Sequence, residues 1–393
     1  MKRILFIHTS SRIGGASYCL LNIIKEIPRN EFSIYVALKN EGPLVHELRK
    51  LDIEVIIQPE IMDVPYNKDF FLPSSINQYY KVFKSKKIIK KIINDFCIDI
   101  LYLNTMMLYQ YLSIGYEMRI KTVIHVREHW PINQHRLQLR LAQKYVEKYA
   151  THLFAINKYS LSIFANSSRK ASIVYDWIDM SNRYEERPFE NIFQEDTSKL
   201  KVLLYTGGFD SMKGVYEVVT SFSKVLTEDN YRLLILGGGN IDQGKGFKHT
   251  IKTLLQKMGY FYYSYELSKA IKHDNRIKCI PATYKLNHII EQSFGFISFF
   301  TVPHANLALA ENIILGNPCL AVRTAESEEY TNDGEYALLT PFGNIPEFEK
   351  NLRKFVENQE AYRIIAQRGS NHLKSLFSKS DNKNRLITVL RNI

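Results

Sequence analysis

The sequence predicts an α/β protein made of two tandem doubly wound parallel sheets facing a cleft. Short runs that are apolar on both faces alternate with helical patterns, as in parallel strands covered by helices. A polar, charged stretch at residues 179–199 interrupts the alternation, and a second series starts beyond it. The 393 residues, at roughly 100–200 residues per domain, suffice for two cores.

In the first series, residues 3–8 (RILFIH) read as a strand. Gly14-Gly15-Ala16 is a turn, and the apolar spacing from Tyr18 to Ile27, closed by Pro28, is a helix. Strands follow at 32–38 and 53–58, with a helix at 43–51 between them. Further strands are expected at 98–104, 122–126, 152–156 and 172–175. The second series has strands at 201–206, 231–236, 277–280, 295–299 and 318–322, and helices at 214–226, 307–315 and 345–357. Domains at 1–178 and 200–375 result, joined by a 179–199 linker. Residues 376–393 form a C-terminal helix expected to pack back on the first domain. Ligands of such sheets bind at the carboxyl ends of strands.

Composition excludes several classes. Cys19, Cys97, Cys279 and Cys319 lie far apart, without a Cys-x-x-Cys pair, which disfavours a disulfide framework or a zinc knuckle. No apolar run approaches the ~20 residues of a membrane span, and the N-terminus lacks a signal-peptide pattern, so a cytoplasmic protein is expected. The net charge of +12 is uneven: residues 1–178 hold 25 Lys+Arg against 15 Asp+Glu, whereas the remainder holds 27 against 25. The first half should therefore meet something anionic. Within it, Lys81–Asn94 (KVFKSKKIIKKIIN) is an amphipathic helix. Its lysines are either a solvated face or a contact with anionic lipid headgroups. Nucleic acid is not expected, because no recognised binding module accompanies the charge.

Gly14 and Gly15 either make a tight turn or bare amides to an anion at a helix start. They lack the dinucleotide spacing of a nicotinamide oxidoreductase. Gly207 to Gly214 is more specific. Lys213, six residues past the strand-end Gly207 and followed by Gly214 at a helix start, can reach a phosphate over the strand ends. A cation without an anion is disfavoured there. Gly237-Gly238-Gly239 is either a crowded packing site or a ligand approach. The aromatic insertion at 242–275, with Tyr260-Phe261-Tyr262-Tyr263, either packs or stacks a ligand. Glu311 sits in an otherwise apolar helix, where a carboxylate is costly unless it accepts hydrogen bonds. Ribose hydroxyls would suit it, and His304 is a candidate sugar contact.

In this order the pieces resemble the retaining GT-B glycosyltransferases of family four, with two Rossmann-like domains. The resemblance rests on Gly14-Gly15-Ala16, on Val174-Tyr175-Asp176-Trp177-Ile178-Asp179, on Gly207–Gly214 and on Gly237–Gly239. Glu311 with Gly316-Asn317-Pro318 and Glu329-Tyr330-Thr331-Asn332-Asp333-Gly334 complete it. Two departures stand out. Pro303 occupies the position of the family's first glutamate, eight before Glu311, and Gly208 replaces a phosphate-binding arginine.

The resemblance implies transfer of a sugar from a nucleotide-diphosphate sugar with retention and no obligatory metal or other cofactor. The acceptor would be a glycan or a lipid-linked molecule, in bacterial surface polysaccharide synthesis. It implies catalytic roles for His125, Lys213 and Glu311. Donor contacts would come from Gly14, Gly15, Gly207, Gly208, Lys213, Gly238, His304, Asn306, Leu307 and Glu311, and acceptor-side contacts from Arg12, Arg127, Glu128 and His129. The departures also motivate a rival, a non-catalytic module that binds a nucleotide or a partner enzyme. On sequence alone, alanine at Lys213 or Glu311 should weaken nucleotide-sugar binding and leave melting nearly unchanged.

Overall fold

The computed structural model describes residues 1–12, 14–65, 70–130, 136–164, 170–178, 180, 183–238, 262–283 and 285–393. It divides into two units, Met1–Trp177 with Phe377–Ile393, and Ile178–Leu376.

The strands of the first unit are β1 Lys2–His8, β2 Phe32–Leu38, β3 Glu54–Ile57, β4 Ile100–Leu103, β5 Lys121–Val126, β6 His152–Ala155 and β7 Ala171–Ile173. All pair in parallel, in the order β3-β2-β1-β4-β5-β6-β7. Alternate residues of β1 enter different cores. Ile4 and Phe6 pack with Leu20, Ile24 and Leu44, while Leu5 and Ile7 pack with Ile89, Ile92 and Leu112. Covering on both faces is why the strand reads as a continuous apolar run. The C-terminal helix Lys379–Asn392 belongs to this unit: Leu386, Ile387 and Leu390 join the core around Phe6. Asn382 Oδ1 accepts from Tyr175 N at 2.9 Å, and Lys379 and Lys383 both reach Glu26. The three apolar side chains contribute about 1.5–3 kcal/mol each and outweigh the half-exposed ion pairs.

The second unit contains β8 Lys201–Tyr205, β9 Tyr231–Leu236, β10 Ile277–Ile280, β11 Gly295–Ile297, β12 Cys319–Val322 and β13 Leu338–Thr340. They form a parallel sheet in the order β10-β9-β8-β11-β12-β13. Leu203, Tyr205, Leu233 and Ile235 pack against Val218 and Phe222 of the helix Val215–Val225 and Phe348 and Leu352 of Ile345–Glu357. Both are doubly wound sheets, as the sequence predicts.

Two elements differ from the sequence reading. The 179–199 stretch is not a free linker, since Phe189–Phe193 is a helix of the second unit with both phenylalanines buried. Phe189 N donates to Gln292 Oε1 at 3.2 Å. Residues four apart share a helix face, which gives this polar segment an apolar side to bury. The helix expected at 81–94 runs Pro73–Asp95, with proline at its start, where a missing N–H costs nothing. Of the aromatic insertion, Tyr260, Phe261 and the Tyr262 side chain, like Gly239 and Asp179 elsewhere, lie outside the described residues. Tyr263 packs, its hydroxyl accepting from Tyr216 N at 3.3 Å. Among the described residues no helix is long and apolar enough to cross a membrane.

Candidate functional site

The strand order reverses once in each sheet, between β1 and β4 and between β8 and β11. Loops leaving the carboxyl ends of neighbouring strands part in opposite directions there and open a crevice. Lys213 follows β8, and Glu311 lies in the helix after β11, the two strands that flank the switch point of the second unit.

Asp210 Oδ1 accepts from Met212 N at 3.0 Å and caps the single turn Ser211–Lys213. Gly214, at φ +69°, then starts the helix Val215–Val225. A Cβ at Gly214 would lie 1.6 Å from the Phe299 carbonyl oxygen, so only glycine fits. Three further bonds join this turn to the loop after β11. Thr301 N and Val302 N donate to Met212 O at 3.1 and 3.3 Å, and Thr301 Oγ1 donates to Ser211 O at 2.8 Å. Lys213 is held by its backbone, its carbonyl accepting from Tyr205 Oη at 3.0 Å. Its half-buried ammonium pairs with no carboxylate among the described residues.

Gly207, Gly208 and Gly238 make packing contacts. Gly208 is at φ +60°, and a Cβ there would stand 2.7 Å from the Gly237 carbonyl oxygen. Gly208 N donates to Leu236 O at 2.9 Å. A Cβ at Gly207 would strike the Tyr205 hydroxyl, and one at Gly238 would strike the Phe209 ring at 2.8 Å. These glycines let the β8 and β9 loops touch. At Gly238 the contact fits the crowded alternative, and Gly208, expected as a donor contact, is pressed against Gly237 as well.

Glu311 lies in the helix Leu307–Ile314. Its Oε1 accepts from Arg183 Nη1 at 2.6 Å, with the two side chains 13% and 5% exposed. This partner answers the cost of a carboxylate in an apolar helix, and sequence reasoning missed it. Arg183 stands in a charged stretch where nothing distinguishes it from its neighbours. Asn306 Oδ1 accepts from Leu309 N at 3.1 Å as the helix cap, and its amide donates to Ser298 Oγ at 3.0 Å. The Asn306 side chain is thereby committed to the fold, so a donor contact from this loop would come from its backbone amides. His304 is exposed, with its ring 6.3 Å from that of Phe300, and Leu307 is half-buried at the helix start.

In the first unit a buried polar cluster lines the β1/β4 switch point. His8 Nε2 meets Ser17 Oγ at 3.0 Å, and Asn104 Nδ2 donates to Ala16 O at 3.2 Å. Arg127 Nε donates to Asn104 O at 3.2 Å, and its Nη1 pairs with Asp176. Burial opposes the Arg127 charge, and the adjacent Asp176 carboxylate more than restores it. Burial, then the Arg127 charge, holds His8 down to about 4, so its ring is neutral.

His125 is fully buried, bonded through Nδ1 to Tyr102 Oη at 2.8 Å and packed on Phe154. Where a sugar contact was expected, the His125 ring has no exposed surface in this structure and meets Tyr102 and Phe154. Arg127 likewise points inward, 6% exposed. His129 is buried and stacked on Tyr159 with ring centroids 4.2 Å apart. Arg127, just past the end of β5, turns inward to meet the buried polar partners Asn104 and Asp176. Glu128 remains partly exposed. Its Oε2 accepts from Met106 N at 2.9 Å and Arg127 N at 3.1 Å. Burial pushes its carboxyl up to about 7 despite those donors and the Arg127 charge, which allows proton exchange near neutral pH.

Arg12 is exposed. A Cβ on Gly14 or Gly15 would meet nothing within 4 Å, and no side chain caps the helix Gly15–Glu26. Unlike the second unit's glycines, this pair is not demanded by packing. Its open backbone sits at the positive end of a helix dipole. Among the described residues no three His, Cys, Asp or Glu gather as a metal-binding group.

Residues 188–372, most of the second unit, match the family described as Glycosyl transferases group 1. N-acetyl-alpha-D-glucosaminyl L-malate synthase of Bacillus anthracis is 23% identical over 198 residues, 50% of this chain and 46% of that protein. The match thus spans about half of that relative's length. Over 100% of both chains the fold resembles that of HepE from Anabaena, solved with UDP and glucose, at 18% identity and a TM-score of 0.75. The same protein is solved with UDP-glucose. The S. aureus MnaA structure with UDP covers 98% of this chain and 95% of that one, at 12% identity and a TM-score of 0.63.

Proposed function

With a group 1 glycosyl transferase domain at residues 188–372 of a chain of GT-B fold as the premise, we propose that the protein transfers a sugar from a nucleotide-diphosphate sugar to a glycan or lipid-linked acceptor. In this reading the anomeric configuration is retained, no metal is obligatory, and the reaction serves bacterial surface polysaccharide synthesis on the cytoplasmic side. What supports it is the chain order around the β8/β11 switch point, with Lys213 after one strand and Glu311 after the other. Lys213 presents an ammonium without a carboxylate partner, and Glu311 presents a carboxylate braced by Arg183.

The chemistry requires stabilising negative charge as the diphosphate departs. A fixed cation on a rigid turn does this without reorganisation. Lys213 would serve the diphosphate, and Glu311 would accept hydrogen bonds from ribose hydroxyls. Taken by itself, the first unit offers open amides at Gly14 and Gly15 to an anion, and its Glu128 would exchange a proton with a hydroxyl near neutral pH. UDP in HepE and in MnaA supports a uridine diphosphate leaving group. Incubating the protein with UDP-sugars and a panel of glycan and lipid-linked acceptors tests the proposal. Product of retained configuration, read by NMR, is expected.

A second reading is a non-catalytic module that binds a nucleotide or a partner enzyme. It is favoured by Gly208, whose φ of +60° and contact with Gly237 leave no room for an arginine, and by Pro303 in place of a glutamate. Tight UDP binding with no turnover of any matched acceptor would select it.

A further inference from the structure

We propose that the outer face of the helix Pro73–Asp95 docks the first unit onto an anionic lipid bilayer. The core side of this helix carries Val82, Ile89, Ile92 and Ile93. Its opposite side is not simply solvated. Leu72, Ile76, Tyr80 and Phe83 lie along it at helical spacing, exposed by 43, 51, 54 and 66%, and Phe71 just before the helix is also exposed. A contiguous apolar stripe on a surface marks an interface.

The lysines divide into two groups. Lys86 donates to Ser113 Oγ at 2.9 Å, and Lys90 pairs with Glu117, so both serve the fold. Lys81, Lys87 and Lys91 are exposed and pair with no carboxylate among the described residues. Lys84 stands 4.6 Å over the Tyr80 ring. Aromatic and aliphatic side chains flanked by unpaired lysines match the acyl–headgroup boundary of an anionic bilayer, which takes the rings while its phosphates take the ammoniums. A second copy fits less well, because a two-fold contact would bring four lysines against four. This surface extends the reading of a lipid-linked acceptor above, but its test does not depend on the donor chemistry.

The test is co-sedimentation of the full chain with phosphatidylcholine vesicles, with and without phosphatidylglycerol. Strong preference for phosphatidylglycerol, weakened by added salt, is expected. Lys84→Gln/Lys87→Gln/Lys91→Gln should lower binding roughly 100-fold, at about five-fold per lysine. Ile76→Ser/Phe83→Ser should abolish it. Both variants should keep wild-type melting and UDP-glucose binding, since the altered residues are exposed. Equal sedimentation with both vesicle types, or variants that bind as the wild type does, would overturn the proposal. So would a dimer lost in the Ile76/Phe83 variant alongside absent vesicle binding, which would assign the face to a second copy.

Discussion

Arg183→Met removes the guanidinium that holds Glu311. The pair is closed at 2.6 Å with side chains only 5% and 13% exposed. Removing one partner of such a pair leaves an uncompensated buried charge and costs about 3–5 kcal/mol. Glu311 keeps slight access to water, so a loss of about 3 kcal/mol is expected. Glu311→Ala should cost a similar amount, contrary to the sequence-based expectation of unchanged melting. Replacing both, Arg183→Met with Glu311→Leu, should recover most of the loss, because a pair exchanged for apolar groups is often near neutral. The cycle, closed by Glu311→Leu alone, should show a coupling of at least about 2 kcal/mol. Trp130 and Trp177 both belong to the first unit, so fluorescence would miss the event. Hydrogen exchange at the amides of Leu307–Ile314 reads it directly. Single variants each within about 0.5 kcal/mol of wild type, the range of ordinary surface changes, would refute the reasoning.

Two other perturbations are equally specific. Gly208→Arg, which would restore the family's arginine, should lower the melting temperature and fail to tighten UDP-glucose binding, because a Cβ there stands 2.7 Å from the Gly237 carbonyl at φ +60°. A stable variant with higher affinity by calorimetry would contradict this. Glu128, with its pKa lifted to about 7, favours the folded state when protonated. That stabilisation is complete below the ordinary carboxyl pKa and lost as pH rises through about 7. Glu128→Gln should therefore gain up to about 3 kcal/mol on wild type between pH 5 and 8, measured by urea unfolding with Trp130 fluorescence. A pH-independent difference would exclude it.

Strand positions were legible because sheets covered on both faces demand continuous apolar runs, as at 231–236 and 277–280. Helices whose apolar residues are diluted by charge were not. Arg136–Tyr149 and Gln359–Leu376 carry buried Leu139, Val146, Ala366 and Leu373 among many polar residues. At the candidate site the chain order exposed Lys213 and Glu311, since each follows a recognisable strand and turn. The sign of each glycine's role was hidden. Gly208 and Gly14 look alike in sequence, yet one is pressed against Gly237 and the other faces open space. Arg183, Asn104 and Asp176 were hidden too, because long-range polar pairing leaves no periodic trace. The direction of His125 could not be read either, since a strand-end residue points inward or outward according to partners such as Tyr102 that are remote in sequence.

Calorimetric titration of UDP-glucose into the wild type and Lys213→Ala bears most directly on the proposed donor site. A charge-assisted bond to a diphosphate contributes about 1.5–3 kcal/mol, so the variant should bind roughly 10- to 100-fold more weakly. Its melting temperature should be unchanged, because the fold uses only the Lys213 backbone. Equal affinity in the two proteins would contradict the account.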